Sequence, residues 1–112
     1  SKKAAKLDAT LAALADPARR RVIDALRKKP RAAGELADHV GVSPATMSKH
    51  LRVLKIAGLV RAENPEFDSR VRIYALRREP IAGLRQWLDA VEALWTDELA
   101  AFKAHIERTD DA

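Results

Sequence analysis

The residues best suited to chemistry lie in one short run, Ser43-Pro44-Ala45-Thr46-Met47-Ser48-Lys49-His50-Leu51-Arg52. Catalysis is poorly provided for. The chain has no cysteine, three scattered histidines, few serines, no glycine-rich phosphate loop and no carboxylate pair set in an apolar stretch. The parts of a nucleophile–base pair or an acid–base dyad are therefore missing, and neither an enzyme nor a cofactor site is expected. Hydroxyls and cations at helical spacing suit recognition instead. With Met47 set inward, a step of about 100° per residue turns Ala45, Ser48, Lys49 and Arg52 outward and leaves Thr46 at the flank. Ala45 is small enough for close approach and can touch a thymine methyl. Thr46 and Ser48 can bond bases or phosphates, and Lys49 and Arg52 suit guanine edges or phosphates. The partner such a face fits is double-stranded DNA.

The neighbouring elements supply the positioning. Ser43 followed by Pro44 is an N-cap with a first-turn proline, and Met47, Leu51, Leu54 and Gly58 fall along one side of the ensuing helix, 44–57. Before it, Leu36, Ala37 and Val40 mark a short helix over 33–40, and Gly41 stands where a left-handed residue would end it. Two helices joined by a tight Gly41-Val42 turn form a helix-turn-helix over 33–57. The first braces against the backbone while the second enters a major groove about 12 Å wide. After Gly58 the apolar period changes to two. Val60 and Ala62 alternate with Arg61 and Glu63, then Val71, Ile73 and Ala75 with Arg72 and Tyr74. These predict two strands within 60–76, joined by a turn-rich connection holding Pro65, Asp68 and Ser69. Arg70 and Arg72 on this hairpin are a second candidate DNA contact, on adjacent phosphates or in the minor groove.

Upstream, Ala4, Leu7, Leu11 and Leu14 predict a first helix over 4–14, and Asp16-Pro17 a cap and start for a second over 17–28 with Val22, Ile23 and Leu26 inward. Downstream, Pro80 opens a last helix, 80–107, whose apolar stripe runs for about 40 Å at the usual rise of roughly 1.5 Å per residue. A domain this small cannot cover such a stripe, so a partner helix is expected. The expected homodimer interface comprises Leu7, Leu11, Leu84, Leu88, Val91, Trp95, Leu99 and Phe102. The fold class is mainly α (α+β), a winged helix-turn-helix in the order α-α-α-α-β-β-α, and 1–112 reads as one domain. A few residues at each end, Ser1–Lys3 and Thr109–Ala112, are expected to fray.

Charge is distributed unevenly. Residues 17–31 carry seven basic groups against one acid and residues 43–72 six against three, whereas residues 80–112 carry three against seven. A basic surface beside an acidic remainder suits a phosphate-binding module. The cluster Arg19, Arg20, Arg21, Arg27, Lys28 and Lys29 points to several sides, so only part of it can face DNA. Arg19 and Arg20 oppose the dipole at a helix start, which hints at some other role for them. The absence of cysteine suits a reducing cytosol, and no apolar run approaches the roughly 18 residues of a membrane span. A cytoplasmic protein without membrane contact is expected.

The segments ALADPARRRVIDAL, GELADHVGVSPATMSKHLRVLKIAGLVRA and VRIYAL resemble the ArsR family of bacterial winged-helix repressors over nearly the whole chain, most specifically in SPATMSKHLRVLKIAGLV. The stretch WLDAVEALWTDELAAFKAHIE is similar to the long last helix of the branch without metal-binding cysteines. The resemblance implies a homodimer built by the first and last helices that represses by binding a palindromic operator. It also implies a packed or hydrogen-bonded role for His50. Where the arsenic and cadmium sensors carry a cysteine pair, the third helix here reads RAAGELADHV. On the last helix His105 stands at poor spacing from Asp97 and Glu98 for the alternative carboxylate–histidine site, so no metal response is expected. His39 is expected at the surface near a helix end. The effector is left open between a small molecule, a partner protein and control by concentration alone. Two alternative readings are a protein-interaction module on the same scaffold and a metal-responsive repressor with a non-cysteine site.

Overall fold

The computed structural model describes residues 1–65 and 70–110. Asp68 and Ser69 of the expected hairpin connection lie outside the described residues. The elements run α1 (Lys2–Leu14), α2 (Pro17–Leu26), β1 (Arg31–Ala32), α3 (Ala33–Val40), α4 (Pro44–Ile56), β2 (Val60–Glu63), β3 (Ile73–Leu76) and α5 (Glu79–Asp110). Mostly helical and closed by a small antiparallel sheet, this is a winged helix-turn-helix. No helix of the described residues is long and apolar enough to cross a membrane.

Several helix boundaries have a local cause. Asp16 accepts a hydrogen bond from the Ala18 N–H at 2.7 Å and Pro17 fills the first position of α2. Ser43 accepts from the Thr46 N–H at 3.1 Å and Pro44 does the same for α4. α3 starts without a side-chain cap. Both helices of the helix-turn-helix end on a left-handed glycine, Gly41 at φ 80° and Gly58 at φ 77°. In each case the next N–H reaches back five residues, Val42 to Ala37 O at 3.1 Å and Leu59 to Leu54 O at 2.9 Å. These bonds satisfy carbonyls that would otherwise end the helix unpaired. At the chain start Ser1 caps α1 by accepting from the Ala4 N–H, so Lys2 and Lys3 are helical where fraying was expected.

The core is continuous through α2, α3, α4 and the sheet. Val22, Leu36, Met47, Leu51, Leu54, Leu59 and Val60 are all buried to 2 % exposure or less. The side of α4 that faces these residues is the one carrying Met47, Leu51 and Leu54. α1 contributes Ala13 and Thr10, whose hydroxyl donates to the Lys6 carbonyl at 3.0 Å and so is buried without an unmet hydrogen bond.

Two features of the sheet differ from expectation. First, the element order gains a strand: β1 pairs antiparallel with β3, so β3 is central in the order β1-β3-β2. Second, the phase of β3 is opposite to the one expected. Tyr74 is buried, whereas Ile73 and Ala75 are half-buried. The register explains this. Val60 pairs with Leu76 and Ala62 with Tyr74, while the exposed Arg61 and Glu63 pair with Ala75 and Ile73. Residues directly opposite share a face, so the inward Val60 commits Tyr74 and Leu76 to the core.

Candidate nucleic-acid interface

α4 is held rigidly from behind. Met47, Leu51 and Leu54 lock its inner face into the core, and α3 packs across it. On its outer side Ala45, Thr46, Ser48, Lys49 and Arg52 are all exposed, together with Ser43 at the cap. Ser43 also shapes the helix start, since its hydroxyl donates to the Thr46 hydroxyl oxygen at 3.0 Å. A rigid helix carrying small, hydroxyl and cationic side chains on one face can enter a groove and bond its floor and walls.

His50 stands at the edge of this helix, half-buried, with its Nδ1 3.5 Å from an Arg19 guanidinium nitrogen. Here α4 meets the junction of α1 and α2. Asp16 completes that junction: the Ala18 N–H holds its carboxyl below the usual carboxylate range, partial desolvation opposes the shift, and the Arg19 N–H with the nearby His50 and Arg19 side chains adds to it. His39 lies exposed in the last turn of α3.

The basic cluster divides in a way its sequence does not announce. Arg19 donates from Nε to the Ala13 carbonyl at 2.6 Å and from its terminal nitrogen to Ala12 at 3.3 Å. Arg20 donates to Leu14 at 2.7 Å and Ala15 at 3.1 Å. Both therefore close the C-terminus of α1, where cations complement the helix dipole. That is the other role hinted at by their unfavourable position at the start of α2. Arg31 similarly donates to Ala25 at the end of α2, at 3.2 Å. Arg21, Arg27, Lys28 and Lys29 are left exposed.

The wing contributes Arg70 and Arg72, both exposed and both preceding β3. Arg61 on β2 lies 3.5 Å from Glu63, an ion pair at the surface. Away from this side, a cleft of about 780 Å³ opens between α1, the end of α4 and the start of α5, with Leu7, Ile56, Leu84 and Trp87 among its walls.

A helix-turn-helix domain family matches residues 14–63, from the end of α1 to the end of β2. The HTH-type transcriptional regulator Rv2034 of Mycobacterium tuberculosis is 39% identical over 99 residues, spanning 88% of this chain and 87% of that protein. Among solved structures, the ArsR family transcriptional regulator RHA00566 superposes with a TM-score of 0.74 at 32% identity, covering 81% of this chain and 91% of the other. The chain belongs to the ArsR family. An ArsR-like transcriptional regulator from Rhodococcus sp. RHA1 extends the likeness to 92% of this chain and 94% of its own, with a TM-score of 0.78 at 28% identity.

As an ArsR-family transcriptional regulator the chain has its DNA-binding fold in α3 and α4. Of the residues singled out in the sequence, the fold brings Ser43, Ala45, Thr46, Ser48, Lys49 and Arg52 onto one exposed surface and puts Arg70 and Arg72 on the neighbouring wing. The apolar set divides. Leu7 and Leu84 are half-buried where α1 packs on α5, whereas Leu11, Leu88, Val91, Trp95, Leu99 and Phe102 are exposed, Trp95 to 61% and Phe102 to 64%. Sequence reasoning missed the α1-capping arginines. Their signal was present in the dipole conflict at the start of α2.

Proposed function

We propose that this ArsR-family regulator is a homodimeric, sequence-specific repressor that inserts α4 into the major groove of a palindromic operator and rests its wing on flanking DNA. The observation that carries this reading is the two-sidedness of α4. One face is fully buried, and the opposite face presents Ala45, Thr46, Ser48, Lys49 and Arg52 together. Phosphate contacts from Lys49, Arg52, Arg70 and Arg72 position the helix, and base contacts from the same face give selectivity. A two-fold dimer presents two such helices, and half-sites about 34–36 Å apart, one turn of DNA, match that symmetry. Occupying the groove excludes other proteins from the same DNA, which is repression by the simplest route. Metal takes no part in this reading, because the third helix has no cysteine and His105 lacks suitably spaced ligands.

The test is DNA affinity across salt on an inverted repeat selected by the purified protein. Binding weakens steeply as salt rises, with a log–log slope near −0.9 for each phosphate neutralised. Scrambled duplex binds far less well. Lys49→Ala with Arg52→Ala costs about 1–3 kcal/mol for each lost base contact and leaves the oligomeric state unchanged. Unchanged affinity of that variant would refute the reading face. Equal affinity for both duplexes would favour the protein-interaction reading, and release by added zinc would refute metal independence.

A further inference from the structure

The cleft between α1, the end of α4 and the start of α5 lies apart from both the DNA-facing side and the exposed apolar stripe of α5. It measures about 780 Å³, a size that suits a small molecule. At about 100° per residue, Pro80, Gly83, Trp87 and Ala90 face it from α5, on a side turned by about 100° from Leu88, Val91, Trp95 and Leu99. Of the residues expected to pair two copies, only Leu7 and Leu84 line it, and both are half-buried where α1 packs on α5. Ile56 and Trp87 are left bare in its walls, exposed to 79% and 44%. Gly83 leaves room beside them, since a Cβ added there would meet nothing within 4 Å. The polar part of the lining is cationic. Lys3, Lys6 and Arg77 stand against a single carboxylate, Glu79, which already lies 3.7 Å from Arg77.

We propose that this cleft binds an amphipathic monoanion, a carboxylate on a hydrocarbon chain or ring, and that the bound molecule weakens the grip on DNA. The hydrocarbon lies against Ile56 and Trp87 and removes both side chains from water. The carboxylate accepts charge-assisted hydrogen bonds from Lys3 and Lys6, which stand one turn apart on α1. A neutral or cationic molecule of the same shape lacks that anchor. The regulatory half rests on the DNA-binding reading above. Ile56, Ala57 and Gly58 end α4, the helix assigned to the groove. Two links tie that end to the approach to α5. A Cβ added at Gly58 would sit 3.7 Å from the Pro80 ring, and the Arg77 N–H donates to the Leu59 carbonyl at 2.9 Å. A molecule seated against Ile56 and Trp87 presses on α4 and α5 together and changes the angle at which α4 projects. Half-sites fixed about 34–36 Å apart on DNA tolerate little such change. The liganded form therefore binds the operator less well, and by linkage the operator weakens the ligand by the same factor.

Decanoate, and 2-naphthoate for a ring, are the probes, titrated calorimetrically into the full chain without DNA. Decanol and decyltrimethylammonium serve as the neutral and cationic counterparts. One carboxylate binds per chain, and Lys3→Gln with Lys6→Gln weakens it about tenfold, the order expected for lost charge-assisted bonds. Gly83→Leu fills the cleft from a helical position where an added Cβ meets no neighbour, so it keeps the parent's circular dichroism and no longer binds. A saturating carboxylate lowers operator affinity about tenfold, an ordinary coupling between two sites, and Gly83→Leu does not respond to it. The site is overturned if neither carboxylate binds, if decanol binds as well as decanoate, or if Gly83→Leu binds like the parent. Binding as described with operator affinity unchanged overturns the regulatory role and leaves the site standing. A parent chain that prefers no duplex overturns the DNA-binding reading, and with it the regulatory role, while the calorimetry still decides the site.

Discussion

Replacing Arg19 by alanine separates the work of folding from the work of binding DNA. Its guanidinium makes two charge-assisted bonds to the last turn of α1, at 2.6 Å to Ala13 and 3.3 Å to Ala12, and its side chain is only 17% exposed. Hydrogen bonds to a charged group are worth about 1.5–3 kcal/mol each, the longer one less, and water replaces part of what is lost. The 3.8 Å ion pair with Asp16, itself 35% exposed, adds a few tenths of a kcal/mol at most. The expected loss is about 2–3 kcal/mol of folding stability, or roughly 10 °C in melting temperature for a chain of this size. Urea unfolding followed by circular dichroism, at one fixed protein concentration because dimerisation adds to apparent stability, measures it. Arg19→Lys recovers only part, since an ammonium cannot span two carbonyls as the planar fork does. Arg21→Ala, at an exposed position, stays within about 0.5 kcal/mol. The reasoning is refuted if Arg19→Ala unfolds at the parent's urea concentration while its DNA affinity falls tenfold, for the guanidinium would then be a phosphate contact.

Gly41→Ala tests the turn between α3 and α4. An added Cβ meets nothing within 4 Å, so the cost is the left-handed backbone alone, about 1 kcal/mol by chemical denaturation, and Gly41→Asn recovers part of it. No loss in the alanine variant would mean that the turn relaxes freely. Asp16→Asn keeps a cap oxygen and removes the titration. Because the Ala18 N–H and its neighbours hold the Asp16 carboxyl below its usual value, its ionised form contributes stability that is present above the ordinary carboxylate pKa and lost as pH falls through the lowered one. The parent's advantage over the asparagine variant therefore shrinks on acidification, as measured by melting temperatures from pH 7 downward. A constant difference would show that the ionised carboxyl is not favoured in the fold.

Much of the candidate interface was legible because its causes are local. Ser43-Pro44 and Asp16-Pro17 announce helix starts within three residues, and Gly41 and Gly58 announce ends. The side of α4 that faces the core follows from Met47, Leu51 and Leu54 and a fixed turn per residue. Once that side is known, the exposure of Ala45, Ser48, Lys49 and Arg52 follows. The features that were not legible depend on distant partners. Arg31-Ala32 is a strand only because Ile73 and Tyr74 lie beside it. The phase of β3 depended on which residue stands opposite Val60, a register that two short alternating runs do not specify alone.

The amino-acid sequence by itself determined where α2 and α4 begin, where α3 and α4 end, and which face of α4 is apolar, because capping residues, turn glycines and periodicity act along one chain. Only the tertiary structure decided where the cations go. Arg19 and Arg20 close α1 and Arg31 closes α2, whereas Lys49 and Arg52 are presented outward. A long flexible cation bonds whatever carbonyl or phosphate the fold brings within reach, and its position in the chain does not say which.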